Sequence, residues 1–429
     1  MRRMSYLIAA GLLLTGVLFS VAPAQLAGAA VHARQAGLPS DRALLSHSVQ
    51  PGVADVVPGA RASAGNDDAT LLGNSCATLA SCTAVGFYDI PSEDIAPALT
   101  ENYAGGKWAA YVPIPQYSAY LTEGLSVSCT APEQCVLVGE HYTTATRPSL
   151  LAEVSSTSGW SMLQWNNPRG VRWALFDYVS CVGTMYCMAV GTDHASGSKL
   201  SEQDYSARYT GSGGMRAVRT PTPPHARWSD LAGVSCLTAA DCVAVGDYEN
   251  AAKHVQTFAA LWNGSKWTLQ LKTPNPAKQA DTEFNDVDCV SASHCVAVGV
   301  TVSRGSHPAY HAFAATWASG RWRQSSMPSV SNAGLDSVSC TSSGCVAVGD
   351  RGGSTTLAEL WNGHSWRVLR AARLTGKRGS GVLSNVSCPS ATHCIAVGYR
   401  YIAKRSYSDN TLAEVWNGHS WKVQTTANP

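Results

Sequence analysis

Carboxylates, a histidine, tyrosines and arginines follow seven recurring steps in which an apolar run ends in glycine. The two residues after each glycine are Phe87/Tyr88, Glu140/His141, Thr192/Asp193, Asp247/Tyr248, Val300/Thr301, Asp350/Arg351 and Tyr399/Arg400. Two carboxylates about 5–9 Å apart can cleave a glycosidic bond, one as acid and one as base or nucleophile. Glu140, Asp193, Asp247 and Asp350 supply the candidates, and Tyr88, Tyr248 and Tyr399 could stack on sugar rings. His307 and His311 have a spacing that binds metal on a helix, but Pro308 and a loop setting argue against a helix there. No nucleophile elbow, zinc-binding helix motif or phosphate-cradling glycine loop is present. No cofactor or metal is therefore expected. Glu153, Glu359 and Glu414 recur in the tripeptide Leu-Ala-Glu and read as structural.

The elements that must hold these residues are set by the cysteines. All 14 fall in pairs: Cys76/Cys82, Cys129/Cys135, Cys181/Cys187, Cys236/Cys242, Cys289/Cys295, Cys340/Cys345 and Cys388/Cys394. First cysteines recur every 48 to 55 residues, and a period of that size marks a repeat architecture. Each pair leads into the strand that ends in glycine, as in Cys242-Val-Ala-Val-Gly246 and Cys394-Ile-Ala-Val-Gly398. Each is preceded by another, such as Leu125-Ser-Val-Ser-Cys129. A second hairpin follows, clearest in Leu360-Trp-Asn-Gly-His-Ser-Trp366 and Val415-Trp-Asn-Gly-His-Ser-Trp421. Asn-Gly between apolar runs signals a tight hairpin because both residues tolerate positive φ.

Each unit thus predicts four short strands of about five residues, and helical periodicity is absent. Four strands alone cannot bury both faces. Seven units in a ring can, so residues 70–429 are expected to form an all-β, seven-bladed β-propeller. Ring geometry keeps the cysteine pairs apart, which disfavours zinc and favours one structural disulfide per blade. In an up-and-down blade, the cysteine loops and the Asn-Gly turns share one face of the disc. The opposite face carries loops that differ between copies, including 192–209, 300–312 and 399–410. Ligand-binding loops vary on rigid scaffolds, so the ligand is expected on that face. The residues after the glycines are expected at its channel mouth.

The unit resembles the kelch-type propeller repeat. Val-Ala-Val-Gly349, Ala-Glu-Leu-Trp361 and Trp366 take the places of its glycine-ended strand, aromatic strand and following tryptophan, although only one glycine ends each strand. Asn362-Gly363-His364-Ser365-Trp366 is similar to the Asp-box turn of sialidase-like propellers, with Asn in the acidic position. The cysteine pair belongs to neither pattern and resembles disulfide-bearing propeller repeats of secreted actinobacterial proteins of unknown function. These resemblances imply the propeller fold and leave the activity open.

The first residues read as a secretory signal peptide. Arg2 and Arg3 precede an apolar run from Tyr6 to Val21, then the small residues Ala22-Pro23-Ala24 and Ala27-Gly28-Ala29. Cleavage is expected after Ala29, with Ala24 the alternative. Residues 30–69 read as an Ala/Pro/Gly-rich leader, in which 53–57 could lend a strand to ring closure. The mature chain is expected to be extracellular and monomeric, with no membrane span. A net charge of +2 lacks the basic footprint of a nucleic-acid binder. The composition and absent motifs favour a secreted non-catalytic binding or adhesion module for a glycan or protein ligand. The alternative is an extracellular carbohydrate-active enzyme, hydrolase or lyase, with acids at the channel mouth.

Overall fold

The computed structural model describes residues 68–90, 95–111, 121–142, 148–165, 171–195, 200, 202–276, 280–374, 379–402 and 408–428. The segment read as a signal peptide, nearly all of the segment read as a leader and the strand considered at 53–57 lie outside them. Within them are seven four-stranded antiparallel sheets, each built from four consecutive strands. The blades span Ala69–Tyr111, Leu121–Met162, Val171–Val218, Trp228–Gln270, Ala280–Gln324, Ala333–Val368 and Gly381–Gln424. First strands neighbour one another around the ring, so they line the central channel and fourth strands stand outermost. Ala69, placed in the leader by the sequence, opens the first strand.

The core is distributed between blades. Seven apolar clusters occur, one at every interface between adjacent blades. The last blade meets the first through Ile395, Val397 and Ala413 packed on Leu71, Leu99 and Trp108. A sheet whose two faces both pack on neighbours needs apolar residues on both, which is why Val-Ala-Val reads as an unbroken apolar run. The paired hairpin tryptophans lie in these interfaces, and Trp267 Nε1 donates to Ser206 Oγ of the preceding blade at 3.0 Å.

All seven expected disulfides are present: Cys76–Cys82, Cys129–Cys135, Cys181–Cys187, Cys236–Cys242, Cys289–Cys295, Cys340–Cys345 and Cys388–Cys394. Each joins the first strand of a blade to its second. The second cysteine of every pair is buried: Cys82, Cys135, Cys187, Cys242, Cys295, Cys345 and Cys394. These second cysteines pack within the apolar clusters between blades, so the disulfides act as structural staples. First strands run 9 to 12 residues, well beyond the expected five. A bulge in each shifts the register, for example between Leu71 and Gly73 or Leu231 and Gly233, and this breaks the alternation that marks a strand in the sequence. The bulge also explains the recurring glycine. A Cβ at Gly246 would lie 1.8 Å from the carbonyl oxygen of Asp230, and one at Gly86 1.9 Å from that of Thr70.

The serine before the first cysteine of most blades closes the ring. Its hydroxyl accepts the N–H of the first cysteine in the next blade: Ser75 from Cys129, Ser128 from Cys181, Ser180 from Cys236 and Ser235 from Cys289. In the fifth blade Asp288 takes the serine's place and accepts from Cys340 at 2.7 Å. Ser339 accepts from Cys388, and Ser387 accepts from Cys76 across the seam between last and first blades at 3.0 Å.

Candidate site at the variable face

One face carries near-identical turns. Asn263, Asn362 and Asn417 each fold their side-chain oxygen onto two following backbone N–H groups. The opposite face carries the connections that differ between blades. First strands enter the disc from that side, so the residues before their bulges form the innermost wall of its mouth.

The residues singled out from the sequence stand one strand out from that wall. Tyr88, Glu140, Asp193, Asp247, Asp350 and Tyr399 are buried, His141, Tyr248 and Arg400 are half-buried, and Arg351 is exposed. Their cross-strand partners on the first strands complete the site: Glu123 opposite Glu140, Asp230 opposite Asp247 and Gly334 opposite Asp350. Glu123, Asp230 and Glu283 occupy the same position, six residues before the first cysteine of their blades. Together the seven channel-lining strands carry eight Asp or Glu and a single arginine, Arg172. The innermost strands are therefore rich in acidic residues in a chain whose net charge is +2.

The acids at the mouth are shifted by burial. Burial, then the charge of Glu140 and of Asp89, hold the Glu123 carboxyl well above the usual carboxylate range. Burial pushes Glu140 up to about 7, opposed by the Tyr142 hydroxyl, which donates to its Oε2 at 3.1 Å. Desolvation holds the His141 imidazole below its usual value, so its neutral form is favoured. On the third blade burial raises Asp193, and the Gln203 side chain opposes the shift. Asp204 is also raised by burial, although its carboxylate accepts from Ser229 Oγ of the fourth blade at 2.9 Å.

Aromatic rings stand at the variable end of several blades. Trp173 stacks on His194 with ring centroids 5.8 Å apart and planes 11° from parallel, and both are half-buried. Tyr401 meets Tyr399 edge-on at 5.6 Å, and Tyr310 stands exposed at the start of its strand. The hairpin tryptophans at the uniform face are buried, by contrast.

Below the mouth, Tyr178 reaches across the channel. Its hydroxyl donates to Asp286 Oδ2, two blades away, at 3.1 Å and accepts from Asn385 Nδ2 at 3.4 Å. Ser337 Oγ and Val338 N–H also donate to Asp286 Oδ2. These residues form a floor from side chains of the third, fifth, sixth and seventh blades. His307 lies in the fifth blade's loop and bonds Ser306, while His311 stands in the following strand opposite Thr301. Among the described residues, no three His, Cys, Asp or Glu side chains gather closely enough to hold a metal ion.

Glu123, Asp230, Glu283 and Tyr178 escape a reading centred on the glycines. The cysteines could have found the three acids, since counting back six residues in each repeat sets them beside Thr70, Leu175, Gly334 and Val382.

No family model matches the chain, and no curated protein matches it. Solved structures similar to it include the β-propeller domain of the Trilobed protease from Pyrococcus furiosus. It is 10% identical with a TM-score of 0.47, over 84% of this chain and 99% of that one. A fucose-specific lectin from Aleuria aurantia is 9% identical with a TM-score of 0.41, over 84% and 97% of the two chains. A polysaccharide lyase, an ulvanlyase, is 8% identical with a TM-score of 0.48, over 83% and 96%. Likenesses this distant carry no inference about activity. No helix of the described residues is long and apolar enough to cross a membrane.

Proposed function

We propose that the chain is an exported, non-catalytic binding propeller that holds a glycan at the variable face. The observation that carries this reading is the company kept at that mouth. Half-exposed rings (Trp173 with His194, Tyr248, Tyr401) surround a wall of carboxylates above the Tyr178 floor. Aromatic faces accept the apolar side of a sugar ring while carboxylates accept its hydroxyls, and concave sites that orient ligands combine the two. Seven disulfides with no free cysteine among the described residues fit an oxidising compartment, and the amino-terminal pattern from Arg2 to Ala29 supplies the route. The test is a glycan array and polysaccharide pull-down with the purified, oxidised chain, repeated with Trp173→Ala. A bound glycan whose retention falls about tenfold in the variant supports the reading. Retention of proteins only, with no sugar, overturns it.

A second reading rests on Glu123 and Glu140. Two carboxylates on adjacent strands, one pushed up to about 7, form a pair in which one member is protonated near neutral pH while the other is ionised. That is the arrangement of an acid and a base in glycoside hydrolysis. Under this reading the bound glycan is also cleaved, and Glu140→Gln slows cleavage by roughly 100-fold or more. Under the binding reading no cleavage is detected in either protein.

A further inference from the structure

The crevice between the second and third blades is apolar through most of its depth and polar at the variable end. Val136 and Val138 of the second blade pack on Phe176, Ala189 and Tyr205 of the third. Side chains alternate along a strand, so Glu140 and Tyr142 continue the stripe of Val136 and Val138. Asp193 likewise continues the stripe of Cys187 and Ala189. Glu123, opposite Glu140, shares its face. The polar end of this crevice is thus bounded by Glu123, Glu140 and Tyr142 on one wall and Asp193 and Tyr205 on the other.

An acidic lining alone says little. What points to a ligand is the state of the third blade's wall. Tyr205 is only 5% exposed, yet its hydroxyl has no hydrogen-bond partner, and it lies near enough to Asp193 to feel that carboxylate's charge. One oxygen of Asp193 is equally buried and unbonded. Polar groups so placed are costly unless something satisfies them. Among the described residues, no lysine or arginine is bonded to Glu123, Glu140 or Asp193. Among the described residues, these acids form no group of three that could hold a metal ion.

We propose that this crevice binds a protonated amine carried on a sugar, so that the glycan taken at the variable face is an amino sugar. This rests on the glycan reading above. An ammonium group supplies three donors and a positive charge. Carboxylates on both walls can accept them, and the Tyr205 hydroxyl can accept from or donate to the sugar. An anionic sugar would be repelled by those of these carboxylates that are ionised, and so disfavoured.

The test compares three oligosaccharides of one length on the oxidised chain by calorimetry. They are a glucosamine oligomer, an N-acetylglucosamine oligomer and a galacturonate oligomer. The glucosamine oligomer should bind at least tenfold more tightly than the acetylated one, weaken as salt is raised, and show no competition from the galacturonate. Glu140→Gln and Asp193→Asn should each weaken it about tenfold, while Glu359→Gln in the sixth blade leaves binding unchanged. Should either crevice variant misfold, Tyr205→Phe and the salt dependence of the unaltered chain decide. Equal binding of acetylated and free amine, or indifference to the crevice variants, overturns this inference and leaves the glycan reading standing. Binding of no sugar at all overturns both.

Discussion

Glu153, Glu359 and Glu414 are fully buried on third strands, with Glu101 at the equivalent position in the first blade. The third, fourth and fifth blades carry Ala207, Ala260 and Ala315 there instead. Burial pushes Glu153 up to about 8 and Glu359 and Glu414 to about 7, from an ordinary value of 4.5. Asp286 beneath the mouth is likewise raised to about 7. These acids hold a proton in the folded chain at a pH where the unfolded chain has released it. Their contribution to stability is therefore full below 4.5, falls as pH climbs, and levels off once the folded carboxyls ionise near 7 to 8. The melting temperature should rise as pH is lowered from about 8 to about 5, opposite to a protein held by ionised carboxylates. Glu153→Gln keeps the shape and removes the titration, so its melting temperature should change less over the same range. A curve for the parent that falls on acidification would contradict the assignment.

At the scale of the element, the belt of serine-to-cysteine hydrogen bonds ties each first strand to the next. Six links use serine and one uses Asp288. Each occupies a backbone N–H on an innermost strand, and that of Cys289 also donates to Asp288 Oδ1 in its own strand. Losing one acceptor should cost about 1–2 kcal/mol. Ser339→Ala breaks the link between sixth and seventh blades, and Ser387→Ala breaks the one across the seam to Cys76. Both should lower the melting temperature. Hydrogen exchange should then quicken at the Cys388 amide in the first variant and the Cys76 amide in the second. Ser339→Asp, which copies Asp288, should keep most of the stability. The belt residues are legible as the serine before the first cysteine of six blades, and so are the hairpins and disulfides, because all of these recur with the period of the blade. What a repeat does not reveal is a residue that departs from it. Tyr178 stands where other blades have Gly73, Ser126 or Asn385, and its bond to Asp286 spans 108 residues of sequence. Glu123 and Glu283 are hidden for the related reason that the bulge beside them obscures which side chains share a face.

At the scale of the whole molecule, the ring closes among the described residues without exchanging a strand. Many ways of closing a ring would sew the last sheet to the first with a strand from the opposite terminus. Here every sheet is made of four consecutive strands. The seam consists of the Ile395–Leu71 apolar cluster, the Ser387–Cys76 link and Asn74, whose N–H donates to Asn385 Oδ1 and whose Nδ2 donates to the Ile395 carbonyl. The backbone of Ala427 reaches the first blade and donates to Glu101 Oε2 at 3.2 Å. The seam is thus built from the same kinds of contact as the other six interfaces, and chain continuity is the main difference between them. It follows that the position of the break should be interchangeable. A circular permutant of residues 68–428, opened between Pro276 and Ala280 and joined by a short flexible linker, should fold with all seven intra-blade disulfides. Its melting temperature should stay within a few degrees of the parent, because no strand changes its sheet. Peptide mapping without reduction and thermal unfolding read both outcomes. A permutant that scrambles its disulfides or fails to melt cooperatively would show that the seam depends on its present termini, and closure by packing and hydrogen bonds alone would have to be abandoned.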